Sequence, residues 1–135
     1  MPTLTRWYVK SSLFYFILAV IFGIGIKAGF TETSQFSKFT PVYYHLFMVG
    51  WVTQLIFGIS FWMFPRYTRE KPRGNETLAW ISFVLLNIGL LLRTFTEPLL
   101  ISNPSQFLRS IVLFASIFQW LAGIGYIIYI WNRIK

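Results

Sequence analysis

YYHLFMVGWVTQLIFGISFWMFPR, residues 43–66, is an almost unbroken apolar run that carries the chain's one histidine near its start. At about 1.5 Å of rise per residue, a helix of this length exceeds the roughly 30 Å hydrocarbon core of a bilayer. Three more stretches read the same way, near 10–30, 77–97 and 106–131, beside this one at about 41–64. Together they use most of the 135 residues. The expected architecture is therefore all-α, a four-transmembrane-helix bundle forming a single membrane domain over 1–135, with no soluble module.

Composition agrees. The chain is 56% hydrophobic and 21% aromatic, with a mean hydropathy of +0.59, more apolar surface than a soluble domain of this size carries. The net charge of +8 does not point to nucleic acid, because the bases gather at helix ends. Arg6 and Lys10 precede the first span; Arg66, Arg69, Lys71 and Arg73 follow the second; Arg133 and Lys135 close the chain. With four spans these segments share one side, so both termini are expected to be cytoplasmic, in a bacterial inner membrane. Trp7, Tyr8, Trp62, Tyr67, Trp80, Tyr129 and Trp131 then form a belt on that side, with Tyr43 and Tyr44 opposite. The first span follows basic residues as a signal peptide would, but it is too long and lacks a small-residue cleavage site, so it is read as retained.

Loop chemistry sets the expected boundaries. TETSQFSKFTP (31–41) ends on a proline suited to a first helical turn. RYTREKPRGNET (66–77) offers Asn75 or Thr77 as a cap, and EPLLISNPSQ (97–106) closes the third helix. Cysteine is absent, which excludes disulfides, thiolate ligands and iron–sulfur clusters. Aspartate is absent too, and the carboxylates are Glu32, Glu70, Glu76 and Glu97. That scarcity argues against hydrolytic chemistry and against a carboxylate proton wire.

An ionisable group inside a span is costly and its default reading is functional. His45 falls about 6 Å along its helix from Pro41. Lys27, Arg93 and Arg109 fall at the same outer-leaflet depth on the other three helices. A neutral imidazole among cations at a membrane rim suits haem b: the histidine ligates iron, apolar side chains wall the macrocycle, and bases meet the propionates. At 100° per residue, Val49, Val52, Ile56 and Ile59 share the histidine's face, while Gly50, Gln54 and Gly58 lie opposite, for close packing. His45 is thus the expected metal ligand, with Arg93 and Arg109 for the propionates and Val49, Val52 and Ile56 along the ring.

Other uses stay open. His45 can hydrogen-bond a neighbouring helix as a structural residue, or form a proton or ion site with Glu97. Arg93 and Glu97, four apart, can be a plain ion pair. Arg109 and Lys27 can be snorkelling anchors. Gln54 and Asn87 are expected to hydrogen-bond between helices, and Ala19, Gly23, Gly25 and Gly29 to serve packing.

The pattern H-x4-G-W-x6-G-x6-P-R, formed by His45, Gly50, Trp51, Gly58, Pro65 and Arg66, resembles the second helix of subunit I in haem-copper oxidases and nitric oxide reductases. In that family an early histidine of this helix ligates the low-spin haem, and subunit I is built from three pseudo-symmetric four-helix units. The resemblance implies a small haem b cytochrome for electron transfer or gas binding, with a respiratory-chain partner. It also implies that three copies could imitate the three units, so a homo-oligomer, trimer or dimer, is expected. The family's dinuclear centre needs further histidines that this chain lacks, so oxygen or nitric oxide reduction by that route is not expected. The rival functions are a cofactor-free accessory or assembly subunit, and a small channel or transporter with a pH-sensitive histidine.

Overall fold

The computed structural model describes residues 1–28, 37–64, 76–131 and 133–134. Gly29, Glu32, Pro65, Arg66, Tyr67, Arg69, Glu70, Lys71, Arg73, Asn75 and Lys135 lie outside the described residues, as does most of the 31–41 loop.

Four helices are each long and apolar enough to cross a membrane: α1 (Thr3–Lys27), α2 (Thr40–Met63), α3 (Glu76–Ser102) and α4 (Gln106–Trp131). A short 3-10 turn, Ser37–Phe39, leads into α2. There is no strand among the described residues. Pro41 falls in the first turn of α2, where its missing N–H costs no intrahelical bond.

Two boundaries differ from the sequence reading. α1 begins at Thr3 rather than near residue 10, because Pro2 is extended and its carbonyl accepts the Arg6 N–H at 3.1 Å. Arg6 and Lys10 are therefore helical, and both are exposed. α3 does not close at Glu97 but runs through Pro98 to Ser102. A proline inside a membrane helix is tolerated where neighbouring helices and hydroxyls restore the lost interactions. Pro98 is buried, and the Ser102 hydroxyl donates to its carbonyl at 2.9 Å. Thr77 lies inside α3 and so does not cap it.

The helices pack antiparallel, with α1 on α2, α3 on α4, and α2 against α3. Leu4 and Tyr8 of early α1 meet Phe61 of late α2, Ala79 of early α3 and Ile130 of late α4 in one core. Tyr15 and Ala19, further along α1, meet Val42 and Leu46 of early α2 and Leu90 of α3 in a second. Tyr8 is thus a core residue and not part of the aromatic belt. It is fully buried, its ring edge-on to Phe61 at 5.2 Å and Phe83 at 4.9 Å. Gly58 makes this possible, since a Cβ there would stand 2.7 Å from the Tyr8 Cβ. Trp7, Trp62 and Trp131 are exposed, as a belt requires.

Between the two cores lies a polar layer that the sequence anticipates in part. Gln54 Nε2 donates to Asn87 Oδ1 at 3.3 Å, and Tyr15 OH donates to the same oxygen at 2.9 Å, so one amide ties three helices. At the far end of α2, the buried Arg133 closes the helix, donating to the carbonyls of Phe61 (3.3 Å) and Phe64 (2.9 Å). Helix C-termini leave such carbonyls without intrahelical partners, and a cation is favourable there.

A polar cluster at the histidine

Directly after His45, α2 changes pitch. Leu46–Thr53 is π-helical, and the Thr53 hydroxyl donates to the Met48 carbonyl five residues back at 2.8 Å. The π form bonds i to i+5 and places more residues in each turn than the α form, so the projection at 100° per residue fails across this segment. The faces are accordingly rearranged. His45 and Gln54 both address α3, meeting Arg93 and Asn87, so Gln54 is not opposite the histidine. Gly50 lies between Tyr15 of α1 and Leu90 of α3, and Gly58 lies against Tyr8 of α1, so the close packing expected at these glycines is made mainly to α1. Ile56 is 56% exposed and Ile59 also faces outward, whereas Val49 packs against both cores and Val52 is half-buried. The aliphatic wall expected along one face is split between interior and lipid-facing surface.

His45 itself is well anchored. Its Nδ1 lies 2.8 Å from the Pro41 carbonyl, which can only accept, so this nitrogen carries the proton and donates. Nε2 then holds the lone pair, and the Arg93 guanidinium donates to it through Nη1. Arg93 also reaches Gln119 Oε1 of α4 at 3.4 Å. Glu97, one turn further along α3, sits 3.2 Å from Arg93 Nε and 3.5 Å from His45 Nδ1. The plain ion pair expected for Arg93 and Glu97 is present, and the same carboxylate also addresses the histidine. The side chains of His45, Arg93 and Glu97 are 27%, 18% and 10% exposed.

The cluster is incompletely satisfied. Arg93 Nε, Glu97 Oε2 and Gln119 Nε2 are buried and have no well-aligned hydrogen bond. Buried polar groups are usually paired. Arg93 Nε still faces Glu97 Oε1 at 3.2 Å as an ion pair, so the Gln119 amide is the donor here with no protein acceptor nearby.

Of the four bases placed at one depth, the structure joins only His45 and Arg93. Lys27 and Arg109 are exposed at the ends of α1 and α4. Gln119 was not singled out from sequence, although an amide inside FASIFQWLAGIG, residues 114–125, is a polar exception of the same kind as Gln54. Among the described residues no three His, Cys, Asp or Glu side chains gather to hold a bare metal ion.

Four apolar helices, with a half-buried imidazole–guanidinium–carboxylate cluster between α2 and α3, define an integral membrane protein with a polar site in its bundle. Residues 3–128 match the family model described as cytochrome c and quinol oxidase polypeptide I, and the chain belongs to that family. It is a membrane protein related to oxidase subunit I, a family whose members bind haem. No curated protein and no solved structure matches the chain.

Proposed function

We propose that this protein binds haem b through His45 Nε2 and works in electron transfer or gas binding rather than in oxygen chemistry. The observation that carries this reading is the hydrogen bond from Nδ1 to the Pro41 carbonyl. Metal-ligating histidines donate their second ring nitrogen in this way, which fixes the tautomer and aims the lone pair at the metal. The Arg93 guanidinium and the Gln119 amide lie beside the His45 imidazole and would meet the carboxylates of a haem. When bound, the haem would supply a one-electron iron couple or an open gas-binding position. The chain's own part is to orient the imidazole and to offer Arg93 to a propionate once it leaves Nε2.

Haem binding in turn favours assembly. With one histidine and no cysteine, each chain offers one strong axial ligand, so two chains share a haem or each haem keeps a weakly held sixth position. Four short helices enclose a macrocycle poorly, and the family resemblance makes a trimer the leading arrangement over a dimer. The positive-inside pattern supports cytoplasmic termini, and the family match supports a respiratory partner, in a bacterial inner membrane.

A second reading has its own support. Arg93 occupies Nε2, as a purely structural cluster in an accessory subunit would require. The spectrum of the detergent-purified protein separates the two. A Soret band that disappears in His45→Ala, with helicity and membrane insertion retained, is the expected result. A colourless wild type, or full haem occupancy in the alanine variant, would overturn the haem reading.

A further inference from the structure

Glu97 stands beside both Arg93 and His45, and its ion pair with Arg93 accounts for only one of its oxygens. The residue is buried, on the inner side of α3, and one of its carboxylate oxygens lacks any hydrogen bond. That oxygen, Oε2, is the one that faces His45 Nδ1 at 3.5 Å, while Oε1 faces Arg93 Nε. A surface ion pair at four-residue spacing would leave its second oxygen to solvent. Here the second oxygen is turned toward an imidazole that already has a backbone acceptor. Removing a carboxylate from water and leaving half of it unpaired is unfavourable by itself, so the placement calls for a compensating role.

We infer that Glu97 is a positioning residue that holds the His45 imidazole from behind its Nδ1–H, makes it a more electron-rich ligand, and so lowers the reduction potential of the group bound at Nε2. This inference rests on the haem reading above and names the residue that sets the property of that site. An axial histidine whose far nitrogen faces a carboxylate is more basic, and a fixed negative charge beside the centre favours the oxidised, more positive iron. Arg93 acts in the opposite sense, since a cation near the propionates favours the reduced state. The two residues form one ion pair in the structure, yet they should push the potential in opposite directions.

That opposition provides the test, because a merely structural ion pair would make both removals weaken haem retention alike without splitting the potential. Wild type, Glu97→Gln, Glu97→Asp and Arg93→Gln would be purified in detergent and titrated potentiometrically at the Soret band. The expected result is a higher potential for Glu97→Gln, a lower one for Arg93→Gln, and a value near wild type for Glu97→Asp.

A second measurement covers a variant that fails to hold haem. With one histidine in the chain, selective 15N-histidine labelling of haem-free protein gives a single imidazole to follow. The Nδ1–H resonance should move on Glu97→Gln and return toward its wild-type position in Glu97→Asp. An unchanged potential in haem-loaded Glu97→Gln, a shift of the same sign as that of Arg93→Gln, or an unmoved Nδ1–H resonance overturns the role of Glu97 while leaving haem binding intact. A wild type without a Soret band overturns both.

Discussion

Replacing Gly50 by alanine should loosen the bundle at the junction of α1, α2 and α3, and the size of the effect follows from the geometry. The added Cβ would stand 2.8 Å from the Tyr15 Cβ, 2.9 Å from the Tyr15 Cγ and 2.9 Å from a Leu90 methyl. Carbon atoms prefer about 3.5–4.0 Å, so α1 must retreat by roughly 0.7 Å. The Leu90 methyl can rotate away, but the stem of Tyr15 moves only with its helix. A retreat of that size carries the tyrosine hydroxyl, now 2.9 Å from Asn87 Oδ1, out of hydrogen-bonding range. Overpacking costs about 1–3 kcal/mol, and an interhelical hydrogen bond in a membrane is worth about 0.6 kcal/mol. Alanine returns about 0.5–1 kcal/mol through its better helix preference. The net loss is about 0.6–3 kcal/mol by these terms. Gly123 supplies the control, because a Cβ there meets nothing within 4 Å. Gly123→Ala should therefore be neutral or slightly stabilising. Unfolding in mixed micelles of mild detergent and dodecyl sulfate, followed by far-UV circular dichroism, measures both. Equal stability of Gly50→Ala and wild type, or equal destabilisation by the two alanines, would refute the packing argument.

Arg93→Gln should weaken haem retention, and the charge reversal Arg93→Glu should weaken it more. Arg109→Gln should do less than either, because Arg109 is exposed and stands apart from His45; competition with apomyoglobin for the haem ranks the three. Asn87→Leu removes the shared acceptor of Tyr15 and Gln54 and should cost about 1 kcal/mol for the two interhelical bonds. Tyr15→Phe on that background should then add little, since coupled neighbours are not additive; the same unfolding assay reads this. Haem-to-protein stoichiometry, read with the mass of the solubilised complex, should give a homo-oligomer with one haem per chain. Half a haem per chain in a dimer would establish a shared haem, and a haem-loaded monomer would defeat the assembly proposal.

The four spans were legible because burying backbone in lipid forces long, uniformly apolar helices, a pattern that hydropathy reports directly. The histidine and its arginine were legible for the converse reason, as costly exceptions in such a run. The angular relations were not. A π-helical stretch leaves no mark in a hydropathy profile, so the eight residues after His45 turned Ile56 outward and brought Gln54 onto the α3 side that the histidine faces. Tyr8 was misplaced for a related reason: its neighbour Trp7 fits an interfacial belt, but only the missing side chain of Gly58, across the helix pair, opens a pocket for the tyrosine. Pro98 misled in the other direction, because a proline halts a helix in water far more readily than one already held by buried neighbours. Glu97 was legible as a partner of Arg93 or of His45; that one carboxylate faces both, with a different oxygen toward each, depends on a contact between helices that no spacing rule contains.

The clasp that Arg133 places over the end of α2 also bears on how the chain is made. The carbonyls it binds belong to residues 72 and 69 positions earlier in the sequence. When Phe61 and Phe64 leave the ribosome, their partner has yet to be synthesised, so the second helix enters the bilayer with that end dependent on water or lipid headgroups. That end of α2 is closed only after the fourth helix has been threaded through. Until then its depth rests on α1 and α3, through the close approach of Gly58 to Tyr8 and the Asn87 amide that Tyr15 and Gln54 share. The height of His45 relative to Arg93 is thus set by the first three helices, and the last residues of the chain seal the opposite end.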